Sequence, residues 1–591
     1  MSAEPLFVAQ SKSALDGPCA ALAVALPLAL TLWRLNPNPE WRADLAVVHM
    51  LGLVPTGPDR AVSTVLSLGA SVLPFGGKLL RAALVSAVGL GAGSWLIYRI
   101  AEALLPRGSR VAGPLLALGA ALSATLSPSW QVEAHVAGGA TVAASTALLG
   151  LFLMEKLYPN DPRAGCALGA VLALAASENL WAGGALVGAV LLRLVLAGQA
   201  PSERYAVWGA AAALLAALVA ELPFLIRPFA PRAWLDLGYA LNGLSGGGRG
   251  HWMAAEAGFT QLGPAVLGLG ALGAVGLLQE RLRSSVAPLG GWAIAGVLLA
   301  AQPAASSVKL LGLGAMTILA ALGAAEALGF LKRVRVPFAQ SAAALLLLVA
   351  LASALGGGGD SNEFLERRLR SATDVWTTTA LESLPRGSAL VVRDEAIAWR
   401  LWSTRIARGD RPDLTIVPLA LLDRGSLGVR LLAQQPALTP LIRETALTGK
   451  PGEFAMSTLA DAAPVYVELD PHWDRRVIDH LAPGPFWMSF APHPLGRSDR
   501  KGRADETHRA LERVRLAASR SASRDPDTLA MLASSVSQEA AALAALGDQE
   551  AALDLLADLR ATDPSHPLLA SLGPRLRAER KSRIDVAALL P

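Results

Sequence analysis

The sequence is short of charge. Charged residues make up 17% of its 591 residues, against about 25% in an average soluble protein. The deficit is uneven, because apolar segments follow one another from Gly17 to about Leu355, whereas Gly356 to Pro591 has the composition of a soluble protein. This distribution excludes a single soluble enzyme, an intrinsically disordered chain and a fibrous repeat.

Cysteine is nearly absent as well. Cys19 and Cys166 are the only two, and both lie within apolar segments. Two cysteines are too few for a disulfide framework, and there is no CxxC or Cys/His cluster of the kind that binds zinc. The sequence also lacks HExxH and GxxxxGK[ST], so neither of these metal-binding and phosphate-binding motifs assigns a function.

Eleven apolar segments are predicted to cross a membrane. A spanning helix needs about 20 mostly apolar residues, and lipid cannot satisfy a free backbone amide, so such segments must be helical. The predicted spans are 17–33, 77–104, 111–128, 131–154, 164–180, 181–197, 205–226, 262–278, 289–304, 308–330 and 337–355.

Lysine and arginine are concentrated in alternate gaps between these spans. One set of gaps holds Arg107, Lys156, Arg204, Arg281 and Lys332 with their basic neighbours, and the opposite gaps hold almost none. Because cytoplasmic loops carry the excess of basic residues, this pattern places the N-terminus in the cytoplasm and, with eleven spans, the C-terminal part outside. The net charge of +5 is thereby explained without a nucleic-acid partner.

The predicted fold is mainly α-helical, with three parts. Residues 1–355 form a multi-spanning membrane helix bundle with outer loops at 34–76 and 227–261, and the segment 61–73 is an amphipathic helix at the outer surface. Residues 356–500 form an extracytoplasmic α/β domain, and residues 501–591 form a C-terminal helical segment. A cleaved signal peptide is the rival interpretation of the N-terminus, but the region before the first span carries only one lysine.

Short apolar runs alternate with helical patterns in the soluble part. The runs 388–393, 414–418 and 464–469 predict strands, and the segments 362–382 and 396–408 predict helices, which together indicate a small α/β domain. In the last part, residues 529–566 have small residues at helical spacing and resemble one tetratricopeptide-type helix pair. A single pair cannot form a solenoid, so a capping helical hairpin is predicted there.

The first outer loop carries two carboxylates close to a membrane helix. Glu40 and Asp44 lie within ten residues of Trp41 and His49. Carboxylates in such a place can act as a general base or hold a divalent metal. Whether the protein uses a divalent metal as cofactor therefore stays open. The alternative is a polar interfacial loop with a tryptophan anchor.

The second outer loop combines arginines with aromatic side chains. Arg227, Arg232 and Arg249 share this segment with Trp234 and His251. A guanidinium matches phosphate oxygens in a bidentate way, so the segment can bind a lipid-linked phosphate. An interfacial loop with aromatic belt residues is the alternative.

Ionisable residues also occur at the outer ends of predicted spans. Glu133 and His135 lie at the outer end of the fourth span, and Glu178 lies near the outer end of the fifth. Ionisable residues at membrane depth are candidates for function. A solvated helix end is an equally good interpretation of each.

Several stretches carry motifs in a characteristic order. They are Leu51-Gly52 with Pro55–Pro58, Leu73–Gly76 with Arg81, Trp130–Glu133, Trp234–Gly243, and Asp394 with Arg411-Pro412-Asp413 and Leu421-Leu422. This order resembles the bacterial membrane family DUF2723, which is related to the transmembrane O-mannosyltransferases and is classed with GT-C glycosyltransferases. The motifs are spread over most of the chain.

The resemblance implies a GT-C-like fold and sugar transfer from a polyprenyl-phosphate sugar to a protein or glycan acceptor at the outer face of a bacterial inner membrane. An acidic residue of the first outer loop has the key role in such enzymes. The family has DSGE there, whereas this chain has Glu40-Trp41-Arg42-Ala43-Asp44, so either Asp44 or Glu40 would retain that role. The family's histidine before its PPG motif is Val54 here.

The leading hypothesis is a membrane glycosyltransferase. Asp44 would be the base with Glu40 second, and the loop arginines would hold the donor phosphate, as positive charge stabilises a leaving phosphate. Glu133, His135, Trp234 and His251 would line the acceptor side or cavity. The rival is a non-catalytic membrane-anchored scaffold. A secondary transporter is a third reading, but paired broken helices and inverted repeats are not evident in the sequence.

Overall fold

The chain forms two compact units in a computed structural model. The structure describes residues 14–35, 61–105, 111–156, 161–197, 202–225, 261–275, 280–299, 305–333, 372–422, 425–470, 472–482, 484, 486–496, 504–520, 526–578 and 584. Of these, residues 14–333 belong to the first unit and residues 372–584 to the second.

The first unit is helical throughout its described residues. Its helices, in chain order, are α1 (Asp16–Arg34), α2 (Ala61–Ala70), α3 (Lys78–Leu104), α4 (Ala112–Thr125), α5 (Pro128–His135), α6 (Thr141–Lys156), α7 (Pro162–Glu178), α8 (Leu180–Ala197), α9 (Glu203–Leu225), α10 (Gly263–Ala274), α11 (Glu280–Leu298) and α12 (Ser306–Arg333).

These helices have the composition of membrane spans. Within the described residues, α1, α3, α9 and α12 of this unit are each long and apolar enough to cross a membrane, and α4, α6, α8 and α10 contain shorter apolar helices. Large apolar side chains also remain exposed on α8 and α9, among them Val195, Val207 and Leu214. An apolar surface of this kind would be unfavourable in water. Together with the length and composition of the helices, it indicates that the first unit is a membrane helix bundle.

Small residues bring the helices of the bundle close together. A Cβ added at Gly273 of α10 would lie 1.9 Å from the carbonyl oxygen of Leu319 in α12, and one at Gly169 of α7 would lie 2.0 Å from that of Gly209 in α9. Because any side chain at these positions would collide with backbone, glycine permits the close packing of both helix pairs. The long helices α3 and α12 supply much of the buried core.

The fourth predicted span is broken, and the prediction of one continuous helix over 131–154 is wrong. Helix α5 ends at His135 and α6 begins at Thr141. Gly138 between them has φ +70°, which interrupts a right-handed helix. The intervening residues are apolar, so hydropathy alone reads the interruption as part of one span.

Other predicted spans coincide with helices within a few residues at most ends, and the amphipathic segment 61–73 contains α2. The predicted ninth span begins well before residue 289, since α11 starts at Glu280. The eleventh predicted span, 337–355, lies outside the described residues. The total of eleven therefore stays a prediction.

The second unit combines a small sheet with helices. Its elements are α13 (Ala372–Glu382), β1 (Ala389–Val392), α14 (Glu395–Arg408), β2 (Thr415–Pro418), α15 (Gly425–Gln434), α16 (Thr439–Thr448), α17 (Glu453–Ala462), β3 (Val465–Val467), α18 (Arg475–Ile478), β4 (Leu481–Ala482), β5 (Met488–Phe490), α19 (Ala504–Arg520), α20 (Pro526–Leu546), α21 (Gln549–Thr562) and α22 (Pro567–Ala578).

The sheet has the strand order β2-β1-β3-β5-β4. Strand β1 pairs in parallel with both β2 and β3, and Leu390 lies opposite Ile416 on one side and Tyr466 on the other. Strand β5 is antiparallel to β3 and β4. The three predicted strands match β1, β2 and β3, whereas β4 and β5 have only two and three residues and gave no pattern in the sequence.

The C-terminal helices α19 to α22 follow the sheet. Residues Thr528–Leu546 of α20 are apolar enough to cross a membrane by length and composition. Their apolarity has another explanation, because Ala540 to Ala544 are buried in the second unit. Helix α20 packs against α21, in the region where the sequence predicts a helix pair, and the tetratricopeptide likeness stays a prediction.

Candidate functional site

The structure describes two of the nine residues that the sequence predicts for the site. These two are Glu133 and His135, both on the short helix α5. The other seven lie outside the described residues: Glu40, Asp44, Arg227, Arg232, Trp234, Arg249 and His251.

Glu133 is hydrogen-bonded across the break between α5 and α6. Its Oε2 accepts a hydrogen bond from the amide of Ala140 at 2.9 Å, directly before the first residue of α6. The chain turns tightly here, since a Cβ added at Gly139 would lie 1.6 Å from the carbonyl oxygen of Glu133. The carboxylate therefore has a structural partner at the start of α6. His135, at the end of α5, is buried.

An apolar groove lies between α2, α3 and α6. It has a volume of about 570 Å³ and is open to the surface. Its lining is almost entirely apolar and includes Val62, Leu66, Leu84, Val88, Trp95 and Leu149. A groove of this size and lining suits a hydrocarbon chain.

The floor of this groove is the seam between α3 and α6. Thr141 donates a hydrogen bond from Oγ1 to the carbonyl of Ser86 at 2.7 Å, and Ser145 donates from Oγ to that of Gly89 at 2.5 Å. A Cβ added at Gly89 would lie 2.9 Å from Thr141 Oγ1, and one at Gly93 would lie 2.9 Å from Ser145 Oγ. Glycine and hydroxyl side chains thus hold the two helices together beneath the groove.

The three helices around the groove differ in the charges at their N-termini. Helix α2 begins beside Glu178, whose Oε2 accepts from the amide of Ser63 at 2.8 Å. Helix α6 begins beside Glu133. Helix α3 has Gly77 as N-cap without a side-chain cap, has no acidic residue in its first turn, and carries Lys78 and Arg81 there. Of these three described N-termini, that of α3 combines the positive end of the helix dipole with basic side chains.

Arg81 also fixes the turn between α2 and α3. Its Nη1 donates to the carbonyls of Ser71 at 2.5 Å and Leu73 at 3.0 Å. Gly76 in this turn has φ +71°, which favours glycine. Leu73 also lines the groove, so the guanidinium of Arg81 lies at the end of the groove next to the N-terminus of α3. Sequence analysis treated Arg81 only as part of a motif and did not assign a role to Lys78.

The Arg411-Pro412-Asp413 motif has a structural role in the second unit. Arg411 has φ +46°, and its guanidinium donates to the carbonyls of Leu381 and Leu384 at the end of α13 and to Asp413. The hydrogen bonds from Arg411, followed by one from the Gly387 amide, hold the pKa of Asp413 well below its usual value. The motif therefore joins the loop that precedes β2 to the end of α13 and to the loop that precedes β1.

Glu468 fills the carboxyl edge of the sheet between β1 and β3. Strand β2 follows β1 in the chain and lies on one side of it, whereas β3 lies on the other side. Ligands of open α/β sheets bind where the strand order changes direction in this way. Here the buried Glu468 Oε2 accepts from the amides of Arg393 and Asp394 at 2.9 and 2.8 Å. Burial raises the pKa of Glu468 to about 7, against the lowering effect of these hydrogen bonds. The place of a ligand anion is thus taken by a side chain of the protein.

No metal centre is formed by the residues that the structure describes, since none of their groups of three or more His, Cys, Asp or Glu side chains could hold a metal ion. All five carboxylates of the predicted outer loops lie outside those residues.

Comparison with solved structures finds membrane glycosyltransferases of GT-C type. ArnT from Cupriavidus metallidurans, bound to undecaprenyl phosphate, has a TM-score of 0.42 at 15% identity, over 71% of this chain and 95% of that chain. The arabinofuranosyltransferase AftD from Mycobacteria has a TM-score of 0.42 at 17% identity, over 85% of this chain and 37% of that chain. The Archaeoglobus fulgidus oligosaccharyltransferase has a TM-score of 0.42 at 12% identity, over 78% and 70%.

No family model matches the sequence, and the resemblance to DUF2723 stays a prediction. No curated protein matches it either. Each TM-score above is below 0.5, so these likenesses assign no function to this chain.

Proposed function

We propose that this protein is an integral-membrane glycosyltransferase of GT-C type, which transfers a sugar from a polyprenyl-phosphate donor to a protein or glycan acceptor. The single observation that carries the proposal is the apolar groove between α2, α3 and α6 with the basic N-terminus of α3 at one end. A polyprenyl phosphate has the matching chemistry, because a long hydrocarbon chain ends in one anionic group.

The position of the donor phosphate follows from the charges around the groove. Glu178 and Glu133 lie at the N-termini of α2 and α6 and would repel an anion there. The N-terminus of α3 has no side-chain cap and carries Lys78 and Arg81, and helix N-termini bind phosphate. We assign the phosphate to this place, with Arg227, Arg232 and Arg249 of the second outer loop as further phosphate ligands.

The reaction needs a base and a leaving group. In the proposed mechanism, the carboxylate of Asp44, or of Glu40 in its place, takes the proton of an acceptor hydroxyl. The hydroxyl oxygen bonds to the anomeric carbon of the sugar, and the bond from that carbon to the phosphate oxygen breaks. Lys78 and Arg81 stabilise the charge of the leaving polyprenyl phosphate. The proposed acceptor-side residues are Glu133, His135, Trp234 and His251.

The proposal includes a location and an orientation. The chain would lie in a bacterial inner membrane with its N-terminus in the cytoplasm and residues 356–591 outside, as the basic gaps predict. The amphipathic helix α2 would then lie at the outer surface, and the groove would open toward the outer leaflet. Membership of DUF2723 and the three predicted domains belong to the same proposal.

The test is a transfer assay on the full-length protein in proteoliposomes, with radiolabelled polyprenyl-phosphate mannose and polyprenyl-phosphate glucose as donors. We expect label to move to an acceptor in the wild type and not in Asp44→Asn. Lys78→Gln should raise the KM for the donor roughly tenfold, as expected for the loss of about 1.4 kcal/mol of binding. It would do so without changing the turn that Arg81 holds.

Arg99→Gln is the matched control, since Arg99 lies near the other end of α3 and pairs with Glu102 at 2.5 Å. Its donor KM should stay that of the wild type. Equal background in the wild type and Asp44→Asn with both donors would contradict the proposal and favour the scaffold hypothesis. Activity in Asp44→Asn but not in Glu40→Gln would move the base to Glu40.

A further inference from the structure

The turn between α7 and α8 places a carboxylate inside the bundle. Glu178 ends α7 and is 1% exposed. Its Oε2 accepts from the Ser63 amide at 2.8 Å, and its Oε1 accepts from the Ser63 hydroxyl. Ser63 is the third residue of α2, so one carboxylate receives two hydrogen bonds from the first turn of that helix. Sequence separation between the two residues is 115 positions.

The neighbouring residue fixes this turn from the other side. Asn179 Oδ1 accepts from the amide of Ala182 in the first turn of α8 at 3.1 Å and from Ser307 Oγ of α12 at 2.7 Å. The Glu178-Asn179 turn is thus hydrogen-bonded to three helices, α2, α8 and α12. Because Asn179 is hydrogen-bonded to α8 and α12, the neighbouring Glu178 carboxylate has a fixed position from which it binds α2.

Helix α2 is short and needs such an anchor. Its ten residues are fewer than a stable isolated helix requires. Ala61 at its start packs against Ala220 of α9, and Val62, Leu66 and Ala70 line the groove. A negative charge at a helix N-terminus stabilises the helix through its unpaired amides and its dipole. The position of α2, which forms one wall of the groove, therefore depends on the hydrogen bonds at its N-terminus.

We propose that Glu178 is a positioning residue for the donor, holding α2 as a wall of the groove through Ser63 and thereby setting the affinity for the polyprenyl chain. This inference rests on the proposed function. Glu178 is placed beside α2 and not at the assigned phosphate position on α3, so it acts through the helix. Its removal should affect donor binding and leave the chemical step unchanged.

The experiment uses Glu178→Gln in the full-length chain in proteoliposomes, with tritiated undecaprenyl phosphate as the binding probe. An amide can accept one hydrogen bond from Ser63 but carries no charge. We expect the Kd of the probe and the donor KM to rise together, by roughly tenfold, with kcat within about twofold of the wild type. Ser63→Ala, which removes only the hydroxyl donor, should give a smaller rise of the same kind.

A second readout follows α2 directly. Ala61→Cys, in a chain whose Cys19 and Cys166 are alanine, places a thiol at a position that is fully buried. We expect a maleimide to label this thiol slowly in the chain that retains Glu178 and at least tenfold faster in the chain that also carries Glu178→Gln. Glu102→Gln, which removes a carboxylate of α3 that pairs with Arg99, is the matched control and should change neither labelling nor Kd.

The outcomes separate the two proposals. Unchanged Kd and unchanged labelling in Glu178→Gln would overturn the positioning role, and so would a loss of kcat at constant Kd and KM. If the wild type neither binds undecaprenyl phosphate nor transfers sugar, the proposed function fails, and faster labelling in Glu178→Gln would then reduce Glu178 to a residue that anchors α2. If Glu178→Gln does not fold, Ser63→Ala decides by the same criteria.

Discussion

The carboxylate of Glu133 accepts a hydrogen bond from the amide of Ala140 at 2.9 Å, across the break between α5 and α6. A residue predicted to line a binding site thus stabilises the start of a membrane helix. The break is therefore specified by the chain on both sides, by a left-handed glycine and by a side-chain acceptor.

The first prediction concerns this carboxylate. Glu133→Ala should lower the free energy of unfolding by about 1 kcal/mol, the usual cost of losing a helix cap, because the Ala140 amide loses its acceptor. Glu133→Gln should cost less, since its carbonyl oxygen still accepts. Thermal unfolding of the purified protein in one detergent measures both, and a larger loss in Glu133→Gln than in Glu133→Ala would contradict the role.

Gly139→Ala should lower the free energy of unfolding much more than Glu133→Ala does. The new Cβ would lie 1.6 Å from the carbonyl oxygen of Glu133, so the backbone of the break must move. We expect a loss of several kcal/mol or no folded protein. Gly188→Ala is the control, because nothing lies within 4 Å of a Cβ there and alanine is favoured in a helix by roughly 1 kcal/mol. Melting temperatures similar in both variants would refute the described break.

Filling the groove should block the donor. Val88 lines the groove and is 61% exposed, so Val88→Trp places an indole where the proposed hydrocarbon chain binds without entering the packed core. We expect the donor KM to rise at least tenfold at unchanged stability. Val195→Trp, on an exposed position of α8 away from the groove, should leave KM unchanged. An equal KM in both variants would show that the groove does not bind the donor.

Glu539 predicts a pH dependence of the second unit. Burial raises its pKa to about 8, and its Oε1 has no hydrogen-bond partner among the described residues. The native state keeps this proton between about pH 4.5 and 8, whereas the unfolded chain releases it. The contribution of Glu539 to stability is therefore fully present below about pH 4.5 and is lost as pH rises through 8.

Glu539→Gln removes this titration. Its stability advantage over the wild type should grow from pH 4.5 to 8, reach the order of 5 kcal/mol, and stay constant above. Hydrogen exchange of residues 526–546 at several pH values measures it in the full chain. Glu550→Gln, an exposed change on α21, should keep the wild-type profile. A pH profile of Glu539→Gln parallel to that of the wild type would exclude Glu539 as the source.

Much of the architecture follows from sequence patterns. Long apolar runs predict most helices of the bundle, and the three runs with strand composition coincide with β1, β2 and β3. Short strands such as Leu481–Ala482 cannot be recognised from sequence, because two residues have no periodicity. The break after His135 is missed by hydropathy, although Gly138-Gly139 is a signal that could have indicated it.

The candidate site was less predictable. Sequence analysis selected acidic and basic residues from outer loops, whereas the described groove is lined by apolar residues of three helices that only folding brings together. Likewise, the pairing of Glu178 with Ser63 spans 115 positions and leaves no local pattern. The Arg411-Pro412-Asp413 motif is visible in the sequence, but its role at the end of α13 depends on carbonyls about 30 residues earlier.

The buried Glu468 has a consequence for how the small sheet meets its surroundings. By accepting the amides of Arg393 and Asp394, it gives the sheet an internal counterpart of the anion that related crevices take from solution. A nucleotide or sugar phosphate could bind these two amides only by displacing the Glu468 side chain. Because Glu468 belongs to the same chain, its effective concentration at the amides is high. The amides of Arg393 and Asp394 therefore already have their acceptor within the chain.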